Sequence, residues 1–237
     1  MKYCVICKQD VAQFLPYKNG SADAPPVQKA LQCVGSDVDN FACPHCRSTD
    51  RERHLFIYLS LPNTLDKIRG GKVLHFAPER YVRMLVEAQQ PQEYVMADMF
   101  PRDPAVRQIN MQDISFPDSY FDAVIANHVL EHVSDDTEAI GEVTRVLKPG
   151  GIAILQTPYS ALLPSSIGEL TPSSPVTRDI LFGEPDHMRL YGLDVFDRIA
   201  ASGLQFIGGS HASLGIQIDP AHLGVNGAEP FFLFRKL

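Results

Sequence analysis

From Lys72 onwards, short apolar runs alternate with segments of helical periodicity, and this alternation limits the fold more than any other feature. The runs predict seven strands, at residues 72–77, 93–97, 106–111, 121–126, 152–157, 204–209 and 230–235. A regular alternation of strand and helix is typical of a parallel sheet with helices packed on both faces. The sequence therefore predicts an α/β fold, with a Rossmann-like doubly wound sheet of seven strands.

Two helix starts follow from the same pattern. Pro78 is suited to the first turn of a helix, and apolar residues recur behind it at helical spacing. The predicted core face of this helix comprises Tyr81, Met84, Leu85 and Ala88. Asp135 and Glu138 are spaced as in a capping box, which predicts that the helix after the fourth strand begins there.

All five cysteines of the 237-residue chain lie within its first 46 residues. Cys4 and Cys7 form one Cys-x-x-Cys pair, Cys43 and Cys46 form a second, and Cys33 is left over. Two such pairs can surround one ion with four thiolates about 2.3 Å away, which is the tetrahedral arrangement of structural zinc. So short and polar a segment cannot bury a core of its own, and a metal ion would stabilise it. We predict that Cys4, Cys7, Cys43 and Cys46 bind a structural Zn²⁺.

Alternatives to this ligand set stay open. A redox dithiol or unliganded cysteines would fit the same spacing, and Cys33 or His45 could replace one of the four ligands. For Cys33 we favour the role of a small buried apolar residue. The predicted organisation is a zinc-binding module over residues 1–54, a linking helix over residues 55–71 and a catalytic domain over residues 72–237.

The formal charge of −7 is unevenly distributed along the chain. Residues 1–53 hold seven Lys and Arg against six Asp and Glu, which leaves 14 against 22 for the remainder. Because an acidic domain repels a phosphate backbone, nucleic acid is disfavoured as a partner, and a small or neutral acceptor suits the charge better. No stretch approaches the roughly 18 apolar residues of a membrane span, and no secretory apolar segment forms. A cytoplasmic protein without a membrane partner is expected, and its oligomeric state is left open.

Polar residues follow four of the predicted strands. The turn at residues 75–80, Asp98, Asp113, and Asn127 with His128 each lie at or just after a strand end. In doubly wound sheets, ligands bind beyond the carboxyl ends of the strands, where the connectivity reverses. These residues therefore predict a pocket for a ligand the size of a nucleoside.

Two longer motifs resemble those of a known family. Residues 116–133 read Phe-Pro-Asp-Ser-Tyr-Phe-Asp-Ala-Val-Ile-Ala-Asn-His-Val-Leu-Glu-His-Val, similar to the segment after the adenine site of class I S-adenosylmethionine-dependent methyltransferases. Residues 147–155 read Leu-Lys-Pro-Gly-Gly-Ile-Ala-Ile-Leu and resemble the next signature of that family. The resemblance covers about residues 70–237. It implies the class I methyltransferase fold, S-adenosylmethionine as cofactor and methyl transfer as activity.

The resemblance also implies a role for each strand-end residue. Asp98 would accept hydrogen bonds from both ribose hydroxyls, and Asp113 would accept one from the adenine amino group. Ile114 would donate its backbone N–H to the adenine ring, while Asn127 and His128 would lie beside the methionine and the sulfonium. The implied cofactor-binding set comprises His75, Phe76, Ala77, Pro78, Glu79, Asp98, Met99, Asp113, Ile114, Asn127 and His128.

The first loop departs from the family pattern. These enzymes usually carry Gly-x-Gly-x-Gly after the first strand and an acidic residue before it, whereas this chain has no glycine there and His75 at the acidic position. Glycines let the backbone approach a ligand closely, and Ala77 is the nearest small substitute. A branch of the family resembles the His-x-Ala-Pro-Glu form found here, so we interpret the loop as a variant in which Glu79 meets the methionine ammonium. A relic that no longer binds cofactor is the alternative.

Residues 158–188 carry five prolines in 31 positions. So long an irregular segment between a strand and a helix is usually functional or mobile. The run at residues 186–192 is similar to one that many of these enzymes place over the acceptor, which implies that His187, Arg189 and Tyr191 line the acceptor pocket. The candidate bases or orienting groups are His128, Glu131, His132 and His187.

Methyl transfer is an in-line displacement that mainly requires alignment of acceptor and methyl group in a dry pocket. The leading hypothesis is a methyltransferase that acts on oxygen or nitrogen of a small molecule or a sugar. An RNA methyltransferase that grips RNA with its zinc module is the second, although the chain lacks a basic, aromatic-rich stripe. A non-catalytic nucleoside-binding protein is the third.

Overall fold

The computed structural model describes residues 1–168 and 174–237, and a mixed seven-stranded sheet forms its centre. The strands of the chain are β1 (Lys2–Cys4), β2 (Gln9–Val11), β3 (Lys72–Phe76), β4 (Glu93–Asp98), β5 (Arg107–Gln108), β6 (Phe121–Asn127), β7 (Leu147–Gln156), β8 (Ile167–Gly168), β9 (Arg189–Leu190), β10 (Leu204–Phe206) and β11 (Leu233–Lys236). Their order in the large sheet is β10-β11-β7-β6-β3-β4-β5. Strands β3 to β7 run parallel, whereas β11 and β10 pair antiparallel at one end. The predicted seven-stranded α/β sheet is confirmed, as a mixed rather than a parallel sheet.

The central strands are apolar along most of their length because both faces of the sheet are covered. Strand β6 is buried except at Asp122, and it pairs with β3 on one side and β7 on the other. Chain order runs outward from β3 to β5 in one direction and from β6 to β7 in the other. The connectivity therefore reverses between β3 and β6, whose carboxyl ends at Phe76 and Asn127 border the crevice in which such folds bind ligands.

Helices cover both faces of the sheet. They are α1 (Pro26–Ala30), α2 (Asp50–Leu59), α3 (Pro62–Ile68), α4 (Arg80–Ala88), α5 (Asp136–Val146), α6 (Pro175–Phe182), α7 (Val195–Ala200) and α8 (Pro220–Leu223), with short 3₁₀ helices at Gly20–Ala22, Val38–Asn40 and Leu130–His132. One apolar core joins the sheet to α5 and α7, and a second joins it to α2, α3 and α4. Within the described residues, no helix has the length and apolar character needed to cross a membrane. Of the proline-rich segment at residues 158–188, residues 169–173 lie outside the described part.

The segment predicted as one linking helix forms two helices, α2 and α3. The Thr49 side chain accepts the N–H of Glu52, and the Glu52 side chain accepts the N–H of Thr49, which completes a capping box at the start of α2. Helix α2 crosses the boundary predicted at residue 54 and buries Leu55 and Tyr58 in the second core. The two helices therefore belong to the helical layer of the main domain.

Two predicted details are wrong. The third strand, predicted over residues 106–111, is limited to the two residues of β5, because β5 lies at the edge of the sheet and pairs only with the end of β4. The core face of α4 is centred on Val82 and Val86, which are fully buried, whereas Met84 is 54% exposed. Positions i and i+4 share one helix face, and that face packs against the sheet.

The cysteine-containing module is anchored to the rest of the protein by Arg53 of α2. Its buried guanidinium lies 3.9 Å from the ring centroid of Phe14 and donates to the carbonyl oxygens of Ser48 and Gly224 at 2.8 and 2.7 Å. Phe14 and Ser48 belong to the module, and Gly224 directly follows α8. One side chain thus ties the module to α2 and to the segment after α8.

Candidate functional site

A carboxylate lies at the crevice between β3 and β6. Glu79 accepts a hydrogen bond from Asn127 Nδ2 at 2.6 Å and lies 3.1 Å from His75 Nε2. His75 is fully buried, and its Nδ1 lies 2.7 Å from the hydroxyl of Tyr94. Since His75, Tyr94 and Asn127 come from three neighbouring strands, the carboxylate is held where the connectivity of the sheet reverses.

The first loop makes its tight turn without glycine. Ala77 has a φ of 47°, in the left-handed region that favours glycine, and its N–H donates to Ala97 O at 2.8 Å. Alanine, with only a methyl group, tolerates this conformation at a cost of about 1–2 kcal/mol. His75 occupies the position at which the family has an acidic residue, and Glu79 at the start of α4 provides a carboxylate. The carboxylate that the family carries before the first loop is therefore replaced here by Glu79, which follows the loop.

Asp98 ends β4, the strand next to β3. Its Oδ1 accepts the N–H of Phe100 at 2.7 Å, while Oδ2 accepts no hydrogen bond from the described residues. Met99 and Phe100 are 46% and 77% exposed, so apolar surface adjoins the carboxylate. A carboxylate with one open oxygen beside apolar surface is suited to a sugar hydroxyl and the base attached to that sugar.

The residues predicted to bind adenine lie in the segment between β5 and β6. Asp113 is exposed, and the N–H of Ile114 donates to Glu142 Oε2 at 2.8 Å. Asn110 was included in the predicted third strand but lies outside β5. Asn110 lies two residues beyond β5, and its carbonyl accepts the N–H of Asp113 at 3.1 Å. The side-chain Oδ1 of Asn110 accepts the N–H of Gln112 at 3.0 Å.

His128 follows β6 with a φ of 55°, and its side chain is almost completely buried. Its Nδ1 lies 3.3 Å from Glu131 Oε1, and its Nε2 lies 3.6 Å from Glu229 Oε1. Neither contact has hydrogen-bond geometry, but both bring opposite charges together. Burial alone would lower the pKa of His128, yet the two carboxylates outweigh burial and raise it. The protonated ring thus favoured is suited to charge balance and not to proton abstraction.

A chain of buried polar groups continues from Glu229. Its Oε2 lies 2.9 Å from His54 Nδ1, and His54 Nε2 lies 2.9 Å from His211 Nε2. Of these two facing nitrogens, one must donate and the other accept. Burial, together with the neighbouring His54, lowers the pKa of His211 to about 4, so His211 is neutral in the folded protein at pH 7.

This arrangement predicts a fold that is sensitive to acid. The unfolded chain protonates His211 near pH 6.5, whereas the folded protein does so only near pH 4. The stability contributed by this depressed pKa is complete above pH 6.5 and is lost progressively between pH 6.5 and pH 4. His211→Gln should therefore show a shallower fall in melting temperature across this window, measured by circular dichroism. His222→Gln is the control and should follow the wild type; equal slopes for wild type and His211→Gln would contradict the prediction.

A cavity of about 380 Å³ lies beside His128, between the N-terminal module and the main domain. Its lining includes Lys18 and Arg51 on the N-terminal side and His187 on the other. His187 Nδ1 donates to Phe182 O at 2.8 Å, and burial lowers the pKa of His187. A neutral imidazole whose Nε2 carries the lone pair therefore lies in the cavity wall.

Arg189 and Tyr191, which were predicted to line the acceptor pocket, lie outside the lining of this cavity. Arg189 donates to the carbonyl oxygens of Leu130 and Val133 at 3.0 and 2.6 Å. The hydroxyl of Tyr191 donates to the carboxylate of Asp136 at 3.0 Å, and both side chains are buried. Because their donors are occupied, these residues brace the segment between β6 and α5. Of the three predicted acceptor residues, only His187 reaches the cavity.

The four predicted ligand cysteines form one cluster. Their sulfur atoms all lie within 4.8 Å of one another, with 3.8 Å between Cys4 and Cys46 and 3.9 Å between Cys7 and Cys43. A tetrahedron with metal–sulfur bonds of about 2.3 Å has sulfur separations of about 3.8 Å. The cluster therefore fits one tetrahedral zinc ion.

Cys33 lies apart from this cluster and lines the cavity. It is half-buried, and burial raises the pKa of its thiol to about 11. The thiol is therefore protonated at neutral pH. The expected small apolar role is met in part, since the side chain adjoins a cavity and is not enclosed in a core.

Solved structures share this fold. The crystal structure of an S-adenosylmethionine-dependent methyltransferase from Mesorhizobium loti matches with a TM-score of 0.51 and 13% identity, over 78% of this chain and 98% of that one. At such low identity, the likeness defines the fold alone. The architecture is that of the class I methyltransferases.

Sequence comparisons point to the same class. Residues 69–155 match the profile of the methyltransferase domain family. A protein of Mycolicibacterium smegmatis, named as a probable S-adenosylmethionine-dependent methyltransferase, is 32% identical over 111 residues, which are 45% of this chain and 42% of that protein. The ubiquinone/menaquinone biosynthesis C-methyltransferase UbiE of Vibrio parahaemolyticus is 38% identical over 60 residues, 25% of this chain and 23% of the relative. The matched segments thus span less than half of either relative. Together with the fold, they support a class I S-adenosylmethionine-dependent methyltransferase.

Proposed function

We propose that this protein transfers the methyl group of S-adenosylmethionine to oxygen or nitrogen of a small molecule or a sugar. The observation that carries the proposal is a row of polar groups at the ends of three adjacent strands: Asp98 of β4, Glu79 after β3 and Asn127 of β6. Asp98 provides a carboxylate for the ribose. Next to it across the crevice, Glu79 and Asn127 provide a carboxylate and an amide for the amino-acid end. That order is the one an adenosyl amino acid requires.

The adenosine end is assigned to residues of β4 and of the turn after β5. Asp98 accepts from the ribose hydroxyls, and the side chain of Met99 adjoins the base. Asn110 and Asp113 provide polar groups for the adenine edge. Ile114 is left out of this set because its N–H is already bonded to a carboxylate.

The methionine end is assigned to the first loop. Glu79 binds the ammonium group, and His75 and Asn127 hold the carboxylate of Glu79 in place. The segment of Phe76, Ala77 and Pro78 brings the backbone close to the ligand through the left-handed turn. Because Ala77 retains the left-handed turn without glycine, we favour a loop that binds cofactor over one that has lost this ability.

The acceptor is assigned to the cavity beside His128. S-adenosylmethionine provides a methyl group on a sulfonium, which leaves as a neutral thioether when the new bond forms in line. The acceptor atom gives up a proton as it gains the methyl group. Lys18, Arg51 and His187 in the cavity wall favour a polar acceptor. The Nε2 lone pair of His187 accepts the proton that the acceptor releases. His128, paired with two carboxylates, has a charge-balancing role.

The zinc-binding module forms a further part of the proposal. Cys4, Cys7, Cys43 and Cys46 are proposed to hold one structural Zn²⁺, on the support of their sulfur separations. The ion would fix the segment that forms one wall of the cavity, rather than take part in the reaction. A cytoplasmic location is proposed with it, since reducing compartments favour thiolate–metal sites over disulfides.

Transfer of a labelled methyl group tests the proposal. The protein is incubated with methyl-labelled S-adenosylmethionine and fractionated extract of its host, and label is expected in a small-molecule or sugar fraction. His187→Gln should lower this transfer about 10²- to 10⁴-fold, the usual range for loss of a proton-transfer group. The same variant should bind S-adenosylhomocysteine as the wild type does in calorimetry.

Each other outcome points to a different function. Label in RNA would favour the RNA methyltransferase. Heat of S-adenosylhomocysteine binding without transfer to any fraction would favour a non-catalytic nucleoside-binding protein. A wild-type protein that gives no binding heat with either form of the cofactor would rule out the proposal.

A further inference from the structure

Outside the strand-end row, three side chains with metal-binding atoms meet beside the cavity. Glu131, His132 and His187 each offer one ligand atom, and these atoms lie within 4.8 Å of one another. Glu131 and His132 belong to the 3₁₀ turn after β6, whereas His187 follows α6. The N–H of Met188 donates to Glu131 O at 2.7 Å and fixes the two segments against each other. Two imidazoles and one carboxylate are thus brought together by a defined backbone contact.

Only one carboxylate oxygen of Glu131 is satisfied. The side chain is fully buried, and its Oε2 accepts from the hydroxyl of Thr157 at 3.0 Å. Oε1 has no hydrogen-bond partner among the described residues. The nearest cationic atom, His128 Nδ1, lies 3.3 Å away without hydrogen-bond alignment. His128 supplies a nearby charge but no aligned hydrogen-bond donor, and an unsatisfied buried acceptor costs about 1–3 kcal/mol, so this oxygen keeps a lone pair free for a further ligand.

Both histidines are oriented through Nδ1. His187 Nδ1 donates to Phe182 O at 2.8 Å, and His132 Nδ1 lies 3.3 Å from Asp186 Oδ2. The two rings stand nearly perpendicular, at 82° with centroids 4.8 Å apart. A backbone carbonyl or carboxylate on one ring nitrogen, with the lone pair on the other, is the arrangement that orients histidine ligands in metal sites.

We propose that Glu131, His132 and His187 bind a divalent first-row transition-metal ion, separate from the zinc of the four cysteines. Imidazole with carboxylate is suited to Zn²⁺, Fe²⁺, Co²⁺ and Mn²⁺, whereas Ca²⁺ and Mg²⁺ prefer oxygen alone. Bonds of about 2.0–2.2 Å require the ligand atoms to close by side-chain rotation from their present separations.

Three protein ligands leave coordination positions open, and His187 places them at the cavity wall. This last step alone rests on the proposed function: the ion would bind the oxygen or nitrogen of the acceptor and lower its pKa. The proton would then pass to solvent water and not to His187, whose Nε2 would be a metal ligand. Binding of the metal itself does not depend on methyl transfer.

Cobalt content tests the site. The full chain is produced in zinc-depleted, cobalt-supplemented medium, and two cobalt ions per chain are expected. The thiolates give an intense charge-transfer band that the imidazole–carboxylate site lacks, so the two sites are counted separately. His132→Gln, at an exposed position, should retain the thiolate band and hold one cobalt ion. Asp186→Asn should weaken the second site about 10- to 100-fold, the usual effect of losing an outer partner of a histidine ligand.

Asp179→Asn is the matched control, because Asp179 lines the cavity but lies outside the cluster. It should bind two cobalt ions with wild-type affinity. A wild-type chain whose cobalt is held by the thiolates alone, or two tightly held ions in His132→Gln, would overturn the proposal. The readout is metal content and not activity. A protein that binds two ions but transfers no methyl group would therefore support this metal site and contradict the proposed function.

Discussion

Chelation of the metal at the four cysteines is expected to unfold the N-terminal module and to leave the sheet intact. The buried apolar cluster of the module comprises Cys4, Val11, Phe14 and Cys43, so two of its four members are proposed ligands. Structural zinc in small modules contributes about 10–16 kcal/mol of apparent binding free energy, far more than so small a core can. Amide hydrogens of residues 1–50 should therefore lose protection after chelation, whereas those of β3 and β6 should keep it.

Hydrogen exchange followed by mass spectrometry measures this effect. Cys33→Ser is the matched control, because Cys33 lies outside the cluster; it should hold as much zinc as the wild type and respond to chelator in the same way. Cys46→Ser should lose zinc and show rapid exchange of residues 1–50 without chelator. Unchanged amide protection after chelation, together with unchanged reactivity of the cysteines toward a thiol reagent, would contradict a structural metal.

The sheet and its strand-end residues can be predicted from the sequence because both depend on short local patterns. Strands β3, β4, β6 and β7 contain buried apolar runs, and β4 and β6 each end on a polar residue. Asp98 and Asn127 therefore lie at the predicted strand ends. The same locality explains the correct start of α5, where Asp135 accepts the N–H of Glu138. A weak edge strand such as β5 lacks this support, and the third strand was therefore predicted too long.

The remaining features depend on contacts between segments that are distant in the chain. His54 and Glu229 are 175 residues apart, yet their pairing places a second carboxylate beside His128, a contact that no local pattern in the sequence indicates. Arg189 and Tyr191 illustrate the same limit. A motif indicates which residues lie near a site, but it does not show that their donors are already bonded to other groups.

Asp98→Ala is expected to weaken binding of S-adenosylhomocysteine by more than tenfold. Asp98 Oδ2 is open in the described structure, and a hydrogen bond to a charged group contributes about 1.5–3 kcal/mol. Loss of that contribution corresponds to a roughly tenfold to 150-fold rise in the dissociation constant, which isothermal calorimetry measures directly. Because no methyl acceptor is needed, the measurement isolates the ribose contact from the chemistry in the cavity.

Asp98 has a second task, since its Oδ1 accepts the N–H of Phe100 at 2.7 Å. Asp98→Asn retains an oxygen for that N–H and removes only the charge, so it separates the ribose contact from the turn. We expect Asp98→Asn to lose most of the affinity that Asp98→Ala loses, without a change in melting temperature. Asp103→Ala removes an exposed aspartate that pairs with Arg83, and it should bind like the wild type. If both Asp98 variants bind S-adenosylhomocysteine with wild-type affinity, Asp98 does not contact the ribose. The strand-end groups would then no longer support the proposed function.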